Sequence, residues 1–383
     1  MRDKFTYLDN AATTRPDDRV IELMAGMDRD CYGNDAAVHA LGVAAAIKVE
    51  RARAIIAGRL SAAPDEIVFT SGGTEANNMA VLGALAAAGG LKKHMILSAM
   101  EHPSVMNPAL RLKSAGAELT LIRPDTRGVI DPAAVKKALR PGTALVSIMH
   151  ANNETGAIQP IGEIGALCRA RGVLFHCDAC QSFTKTGLNV KEQCPDLLTI
   201  NSHKIHGPKG AGAIYIRKGI TLPPLMAGGG HERGLRPGTR NCPAIAGFGL
   251  AVELATAGHA KKVSALRDLF WAGLSRAVPG ARLNCAEAPR LCGILSVTLP
   301  GGSGAAGLVQ ALSAKGVCVS AGSACSAGKT TPGAALLAIG LTGAEALRTI
   351  RVSLSRFNTE KEILRAVTEI AALANKEKEP NVR

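Results

Sequence analysis

Short apolar segments alternate with longer amphipathic, Ala-rich segments through the first part of the chain. The apolar segments contain few polar positions, which is typical of strands buried on both faces of a parallel sheet. We predict seven strands, at EIVFT (66–70), HMILSA (94–99), AELTLI (117–122), ALVSIMH (144–150), VLFHCD (173–178), LLTI (197–200) and GAIYI (212–216). The segments between them predict helices over 75–88, 103–115, 131–139 and 161–171. The alternation predicts an α/β fold whose parallel sheet is covered by helices on both faces.

The pattern changes after about residue 250. We predict a helical stretch over about 243–277, strands near 293–299 and 316–320, a helix over about 332–340, a strand at TIRVSL (349–354) and a helix over about 359–375. This order predicts a second, smaller α/β domain. The charged tail KEKEPNVR is predicted to be frayed.

The composition of the chain indicates which kinds of binding partner are favoured. The chain has 383 residues, a formal net charge of +14 and 3% aromatic residues. The positive charge favours anionic partners, but the basic residues are scattered, so we expect no direct recognition of nucleic acid. No apolar run reaches the roughly 18 residues that span a bilayer, and the N-terminus lacks an apolar signal segment. We therefore expect a cytoplasmic protein without a membrane segment.

The chain contains ten cysteines. Without a signal segment, they predict reduced thiols and not a disulfide framework. Cys177 and Cys180 form a C-x-x-C pair, for which half of a zinc site is one interpretation. No second pair of ligands follows, so thiols at the end of a buried strand are favoured and we expect no metal. Cys325 lies in the small-residue segment SAGSACSAG, which fits either a filler loop or a mobile loop with a reactive thiol.

Polar residues follow several of the predicted strands, where ligands bind in parallel α/β sheets. In FTSGGTEANN, Gly73 and Thr74 open a helix, which fits either a phosphate cradle or an ordinary helix cap. Asp178 ends another strand, and Gln181 lies close to it in the sequence. An acid at this place suits a cationic ring nitrogen, with a helix cap as the alternative.

Lys204, in SHKIHGPKGAG, follows the next strand along the chain. A lysine there can form a Schiff base, and Lys209 in the glycine-rich turn is its rival. His102 in EHPSV and Asn153 in ANNETG also follow strands, where ligand binding and local structure both remain open. A phosphate cradle, an acid, a lysine and an imidazole together meet the needs of pyridoxal phosphate, which we predict as the cofactor.

Motifs that carry a family resemblance run in order over nearly the whole chain. They are YLDNAATT, FTSGGTEANN, EHPSV, ANNETGAIQPI, HCDACQ, SHKIHGPKGAGAIY, GGGHERGLRPGTRN, SAGSACSAG and IRVSLSRF. Together they resemble the cysteine desulfurases of the NifS/IscS type, in the fold-type I, class V aminotransferase group. The resemblance implies a large domain over 14–258 with a mainly parallel seven-stranded sheet. It implies a smaller α/β domain formed by 1–13 and 259–383.

The resemblance also implies how the cofactor is held. Lys204 would form the Schiff base, Asp178 would pair with the pyridinium nitrogen, and Gln181 would contact the phenolic oxygen. His102 would stack on the ring and help to transfer protons. The phosphate would be held by Gly73, Thr74, Ser202, His203 and, from the other subunit of a homodimer, Thr239.

The implied reaction converts L-cysteine to L-alanine and leaves the sulfur as a persulfide on the enzyme. Asn153 and Arg351 would bind the substrate carboxylate, for which the planar guanidinium is well suited. Cys325 would be the nucleophile. Cys318 is the rival thiol, but its surroundings VCV predict a buried strand.

Two positions depart from the family pattern. The segment Gly33 to Ala37 replaces the usual GNPSS, and His231 stands where Gln is usual. A selenocysteine lyase or another pyridoxal-phosphate-dependent cysteine lyase is one alternative function. A non-catalytic scaffold or zinc-binding protein with the same fold is the other. The sulfur acceptor stays open between iron–sulfur scaffold proteins, tRNA-thiolation proteins and the acceptor of a specialised pathway.

Overall fold

A computed structural model of the chain describes residues 4–90, 92–301, 304–322 and 332–376. Its strands are β1 (Thr6–Tyr7), β2 (Ile67–Thr70), β3 (His94–Ser98), β4 (Glu118–Ile122), β5 (Thr143–Ser147), β6 (Leu174–Asp178), β7 (Leu197–Asn201), β8 (Gly212–Ile216), β9 (Arg282–Leu283), β10 (Ile294–Thr298), β11 (Val317–Cys318) and β12 (Thr349–Ser353). Its helices are α1 (Asp18–Asp30), α2 (Ala40–Leu60), α3 (Gly73–Ala87), α4 (Pro103–Ser114), α5 (Pro132–Ala138), α6 (Ile161–Ala170), α7 (Val190–Gln193), α8 (Cys242–Glu253), α9 (Ala257–Ala277), α10 (Ala305–Ala314), α11 (Ala334–Ala338), α12 (Gly343–Leu347) and α13 (Glu360–Lys376). Within these ranges no helix is both long and apolar enough to cross a membrane.

The large sheet has the strand order β2-β8-β7-β6-β5-β3-β4. β8 runs antiparallel to both of its neighbours, and the other adjacent pairs are parallel. The predicted mainly parallel sheet is therefore confirmed, with all seven predicted strands in it. The strand predicted over 144–150 ends at Ser147. Hydrogen bonding to β6 continues beyond Ser147. The backbone N–H of Ile148 donates to the carbonyl oxygen of His176, and that of His150 donates to the carbonyl oxygen of Asp178.

Alternate residues of the sheet face two separate apolar clusters. Met95 and Leu97 of β3 pack in the cluster that contains α3, whereas Ile96 packs in the cluster that contains α2 and α8. Such alternation follows from the two-residue period of a strand, and both faces are apolar because helices cover both. The sheet therefore presents only its strand ends to ligands.

A smaller unit is built around β10, which pairs antiparallel with β12 and β9. α9, α10 and α13 contribute to its apolar core. β1, near the N-terminus, pairs parallel with β11, so this strand lies beside the C-terminal unit. A second α/β unit is thus present. The predicted boundaries at 14 and 258 stay predictions.

The helical stretch predicted over 243–277 is two helices, α8 and α9. Thr256 has an extended backbone, and its N–H donates to Nδ1 of His259 at 3.3 Å, so a new helix begins there. α1 and α2 were not predicted. Small residues are spread around α2, which leaves it without the apolar stripe that periodicity detects.

Replacing Phe270 by Ala should lower the free energy of unfolding by about 3–5 kcal/mol, because a large buried ring leaves a cavity. Phe270 is 0% exposed in the core of the smaller unit, whereas Phe5 is 46% exposed. Urea unfolding followed by circular dichroism measures the loss, with Phe5→Ala as the control. Equal losses in the two variants would contradict this description of the core.

Candidate active site

Two adjoining cavities lie at the carboxyl ends of the parallel strands. The first has a volume of about 230 Å³, and its walls include Gly73, Thr74, Asn153, Asp178, Gln181, His203 and Lys204. The second has a volume of about 300 Å³ and includes Arg351. His102, Asn153 and Lys204 line both cavities. The fold thus brings residues from six separate segments together at the place where parallel sheets bind ligands.

Asp178, the last residue of β6, is a buried carboxylate with a donor on each oxygen. Cys180 N donates to Oδ1 at 2.9 Å, and Asn77 Nδ2 donates to Oδ2 at 2.8 Å. Burial favours the neutral acid, but the Cys180 N–H, the electrostatic effects of His102 and Lys204 and the Asn77 amide outweigh it and lower the pKa of Asp178. Asp178 is therefore an anion inside the protein, able to pair with a cationic ligand atom.

His102 is joined to Asp178 through two side chains. Asn77 Nδ2 also donates to Ser104 Oγ at 2.8 Å, and Ser104 Oγ lies 2.7 Å from His102 Nδ1. The backbone N–H of Ser104 donates to the same ring nitrogen at 3.1 Å. Nδ1 is thus an acceptor, so the proton of the neutral ring is on Nε2. Burial lowers the pKa of His102, with Lys204 acting in the same direction and Asp178 against it, which keeps the ring neutral.

The turn between β2 and α3 is the place where the sequence predicts a phosphate cradle. Gly73 begins α3, and a Cβ at this position would lie 2.7 Å from Cys180 Sγ, so no side chain fits there. Gly73 and Thr74 line the first cavity, where the first N–H groups of a helix are free to bind an anion. This geometry favours the phosphate interpretation of the motif over the simple cap.

The residues after β7 differ in their access to the cavity. His203 and Lys204 line it, whereas Ser202 is fully buried behind it. Ser202 Oγ has no hydrogen-bond partner among the described residues, and a Cβ at Gly207 would lie 2.0 Å from it. The close approach of Ser202 Oγ therefore leaves no room for a side chain at residue 207. Lys209, the rival lysine, is exposed and lines neither cavity.

Arg351 of β12 extends into the second cavity from the smaller unit. It is 2% exposed, and its Nη2 donates to Asp9 Oδ1 at 2.7 Å. Nη1 donates to the backbone oxygen of Asn153 at 3.0 Å, and Nε is buried without a partner among the described residues. The two predicted carboxylate-binding residues are thus in contact with each other. Burial raises the pKa of their neighbour Glu154, which lines the same cavity, while the charge of Arg351 lowers it.

Gln181 and Thr239 occupy very different environments. Gln181 is 3% exposed, and its Nε2 donates to the backbone oxygen of Ala11 at 2.8 Å. Its Oε1 is buried without a partner among the described residues. Thr239 is exposed and lines neither cavity of its own chain. A role for Thr239 at a cofactor therefore requires a second copy of the chain.

The two departures from the family pattern do not line either cavity. Asp35 is buried and forms an ion pair with Arg240. Ala36 and His231 line a separate open cleft of about 630 Å³ together with Arg53. Asp35 thus contacts the neighbour of Thr239, and the departures lie outside the walls of the two cavities.

The nucleophile predicted from the sequence, Cys325, lies outside the described residues. Cys318 belongs to β11 and pairs with Tyr7, and burial raises the pKa of its thiol. Burial raises the pKa values of Cys177 and Cys180 well above the ordinary thiol range. These three cysteines are therefore protonated thiols at neutral pH.

Known proteins with similar sequences and folds are consistent with this geometry. The family model described as Aminotransferase class-V matches residues 6–365. The chain belongs to the class V aminotransferase family. Its relatives in the family include the cysteine desulfurase IscS of Anaeromyxobacter sp. (strain K), 43% identical over 93% of this chain and 89% of the relative. Cysteine desulfurase 2 of Trichormus variabilis is 41% identical over 93% of this chain and 90% of the relative.

Solved structures of similar proteins have the same fold. One described as a NifS-like protein has a TM-score of 0.91 and 35% identity, and covers 97% of this chain and 100% of its own. The structure described as SspA in complex with cysteine has a TM-score of 0.83 and 36% identity, and covers 92% of this chain and 99% of its own. The similarity of this class V aminotransferase to them extends over both of its units.

Glu101 is a buried acid of this family member that was not predicted from the sequence. Its Oε1 accepts from Ser98 Oγ at 2.6 Å and from Met149 N at 2.8 Å, which ties the end of β3 to the segment after β5. Burial raises the pKa of Glu101 to about 8, although both hydrogen bonds act in the other direction. Only its place beside His102 in EHPSV could have pointed to it.

Replacing Glu101 by Gln should flatten the dependence of stability on pH. The folded-state pKa lies above the unfolded one, so between about pH 4.5 and 8 the folded protein binds more protons and its unfolding free energy falls as pH rises. One such group contributes at most about 1.4 kcal/mol per pH unit. Urea unfolding across this window measures the slope, and Glu287→Gln on the surface is the control. A wild-type slope that persists in E101Q would contradict the assignment.

Proposed function

We propose that the protein is a cysteine desulfurase that converts L-cysteine to L-alanine and takes up the sulfur as a persulfide on Cys325. The observation that carries the proposal is the shared wall of the two cavities. His102 and Lys204 belong to this wall, whereas Asp178 lines the first cavity and Arg351 lines the second. The relatives named cysteine desulfurase and the solved relative described with cysteine support the choice of substrate.

The first cavity fits pyridoxal phosphate. The ionised Asp178 suits the protonated ring nitrogen, and the N–H groups at Gly73 and Thr74 suit the phosphate, with Ser202 and His203 beside it. Gln181 is assigned to the phenolic oxygen, His102 to the ring face and Lys204 to the covalent link. When bound, the cofactor supplies an electron sink for bonds broken at the amino acid.

The second cavity fits the carboxylate of L-cysteine. Two nitrogens of Arg351 are held by Asp9 and Asn153, which fixes the plane of the guanidinium. Its remaining donors and the Asn153 side chain are assigned to the two carboxylate oxygens. The amino group of the substrate then lies toward Lys204, which lines both cavities.

Protons move through Lys204 and through Nε2 of His102, because Nδ1 is occupied as an acceptor. In the net reaction the carbon–sulfur bond of cysteine breaks, and a sulfur–sulfur bond to Cys325 forms. The thiol protons are redistributed between the alanine methyl group and the persulfide, so cysteine plus enzyme thiol becomes alanine plus enzyme persulfide. No external oxidant or reductant is needed.

Lys204→Ala should abolish the yellow absorbance of the bound cofactor together with all activity. Cys325→Ala should keep the absorbance and lose alanine and persulfide formation by at least about 100-fold, because the sulfur then has no acceptor. Absorbance spectra and an alanine assay with L-cysteine measure both, and Cys318→Ala is the matched control.

The same variants and the wild-type protein distinguish the alternative functions. Normal turnover of L-cysteine by the Cys325 variant would contradict the mechanism. If the Cys325 variant lost activity on L-cysteine but kept full activity on selenocysteine, the protein would be a selenocysteine lyase. A purified wild-type protein that takes up no pyridoxal phosphate would indicate a scaffold.

The acceptor of the sulfur is proposed by class. The relatives named IscS support an iron–sulfur scaffold protein in the cytoplasm, and a tRNA-thiolation protein is the second candidate. Comparing persulfide transfer to purified acceptors of both classes distinguishes them.

The proposed assembly is a homodimer in which Thr239 reaches the phosphate of the other subunit. Large apolar side chains are exposed along the connection between α1 and α2 and along α2 itself. Tyr32 is 70% exposed, Val38 96% and Ile47 62%. Solvation of such a row is unfavourable, and a second copy of the chain would cover it.

Ile47→Glu should therefore convert the dimer to a monomer at micromolar concentration, because each interface would receive two buried charges. Light scattering after gel filtration measures the mass. Leu364→Glu, at a side chain 53% exposed on α13, is the control. A wild-type monomer would contradict the proposal.

A further inference from the structure

Glu75 places a negative charge next to the proposed phosphate site. It lies in the first turn of α3, one residue after Thr74. Its Oε2 accepts from the backbone N–H of Ser71 at 2.7 Å, which closes the turn that precedes the helix. The side chain is 15% exposed, so little water screens its charge. A carboxylate and a phosphate would compete for the same positive helix end.

Arg236 neutralises this carboxylate. Its Nε donates to Glu75 Oε1 at 2.9 Å, and the side chain is 23% exposed. The ion pair and the Ser71 N–H lower the pKa of Glu75 against the effect of burial, so Glu75 remains charged. Among the described residues Glu75 has no other ion pair.

The segment that carries Arg236 is held rigidly against β2. Glu232 is 4% exposed, and its carboxylate accepts from Phe69 N at 2.8 Å and from Arg53 Nη2 at 2.7 Å. Glu232 and Arg233 both have left-handed backbone conformations, with φ of 48° and 59°. Such conformations are costly for residues other than glycine and persist only where surrounding contacts enforce them. The position of Arg236 is thus built into the fold.

We propose that Arg236 is a positioning residue for the cofactor phosphate, acting through Glu75. It cancels the Glu75 charge and holds the turn 71–75 in place, so that the N–H groups of Gly73 and Thr74 can bind a dianion. This inference deepens the proposed function and rests on it for the identity of the ligand.

A double-mutant cycle tests the inference on the apoenzyme, titrated with pyridoxal phosphate and followed by absorbance. Arg236→Met should raise the dissociation constant about tenfold, the effect of one uncompensated charge close to the phosphate. Adding Glu75→Gln should restore the constant to within about threefold of wild type, because no charge then remains to be neutralised. Glu75→Gln alone should change it little.

Arg233→Met is the matched control, because Arg233 lies on the same segment, is exposed and forms no ion pair with the described residues. An Arg236→Met variant with wild-type affinity would overturn the proposal. So would a double variant that binds as weakly as Arg236→Met, since Arg236 would then act by direct contact or by folding of the segment. A wild-type protein that binds the cofactor but leaves cysteine unchanged would refute only the proposed reaction, because this cycle measures affinity.

Discussion

A carboxylate kept ionised inside the protein, that of Asp178, constrains everything around it. Burial alone would neutralise the group, and its charge persists because Cys180 and Asn77 each donate to one oxygen. Asn77 lies in α3, and its amide also reaches Ser104 in α4. The helices that cover the sheet are thus joined to β6 by the same amide that stabilises the charge. The same hydrogen bonds therefore hold α3 and α4 against β6 and keep Asp178 ionised.

The proposed phosphate end of the site depends on a different electrostatic balance. A helix N-terminus attracts every anion nearby, whether it belongs to the ligand or to the protein. The first turn of α3 carries Glu75, which shapes the turn through Ser71 and stays charged because Arg236 and the Ser71 N–H lower its pKa. A rigid arginine on a distant segment lets the turn keep its shape while its dipole remains available to a ligand.

Most strands of the large sheet could be predicted because they are short apolar runs buried on both faces, and this pattern is local. Lys204, Asp178 and His102 could be proposed because each follows a strand, and parallel strands end at one edge. Asn77, Glu101 and Arg236 could not be assigned, since their roles depend on distances between segments. α2 escaped prediction because its buried residues are mostly small. The domain boundaries and the role of Cys325 stay predictions.

The pairing of Asp9 with Arg351 has a consequence for synthesis of the chain on the ribosome. The two residues are 342 positions apart, whereas the large sheet uses only strands between Ile67 and Ile216. Domains fold as units during translation, with N-terminal parts first. A nascent chain can therefore assemble the cavity around Asp178 and Lys204 well before its last strand emerges. Arg351 gains its Asp9 partner only when the first and last parts of the chain meet, so loss of either the segment around Asp9 or β12 would disturb the same half of the site.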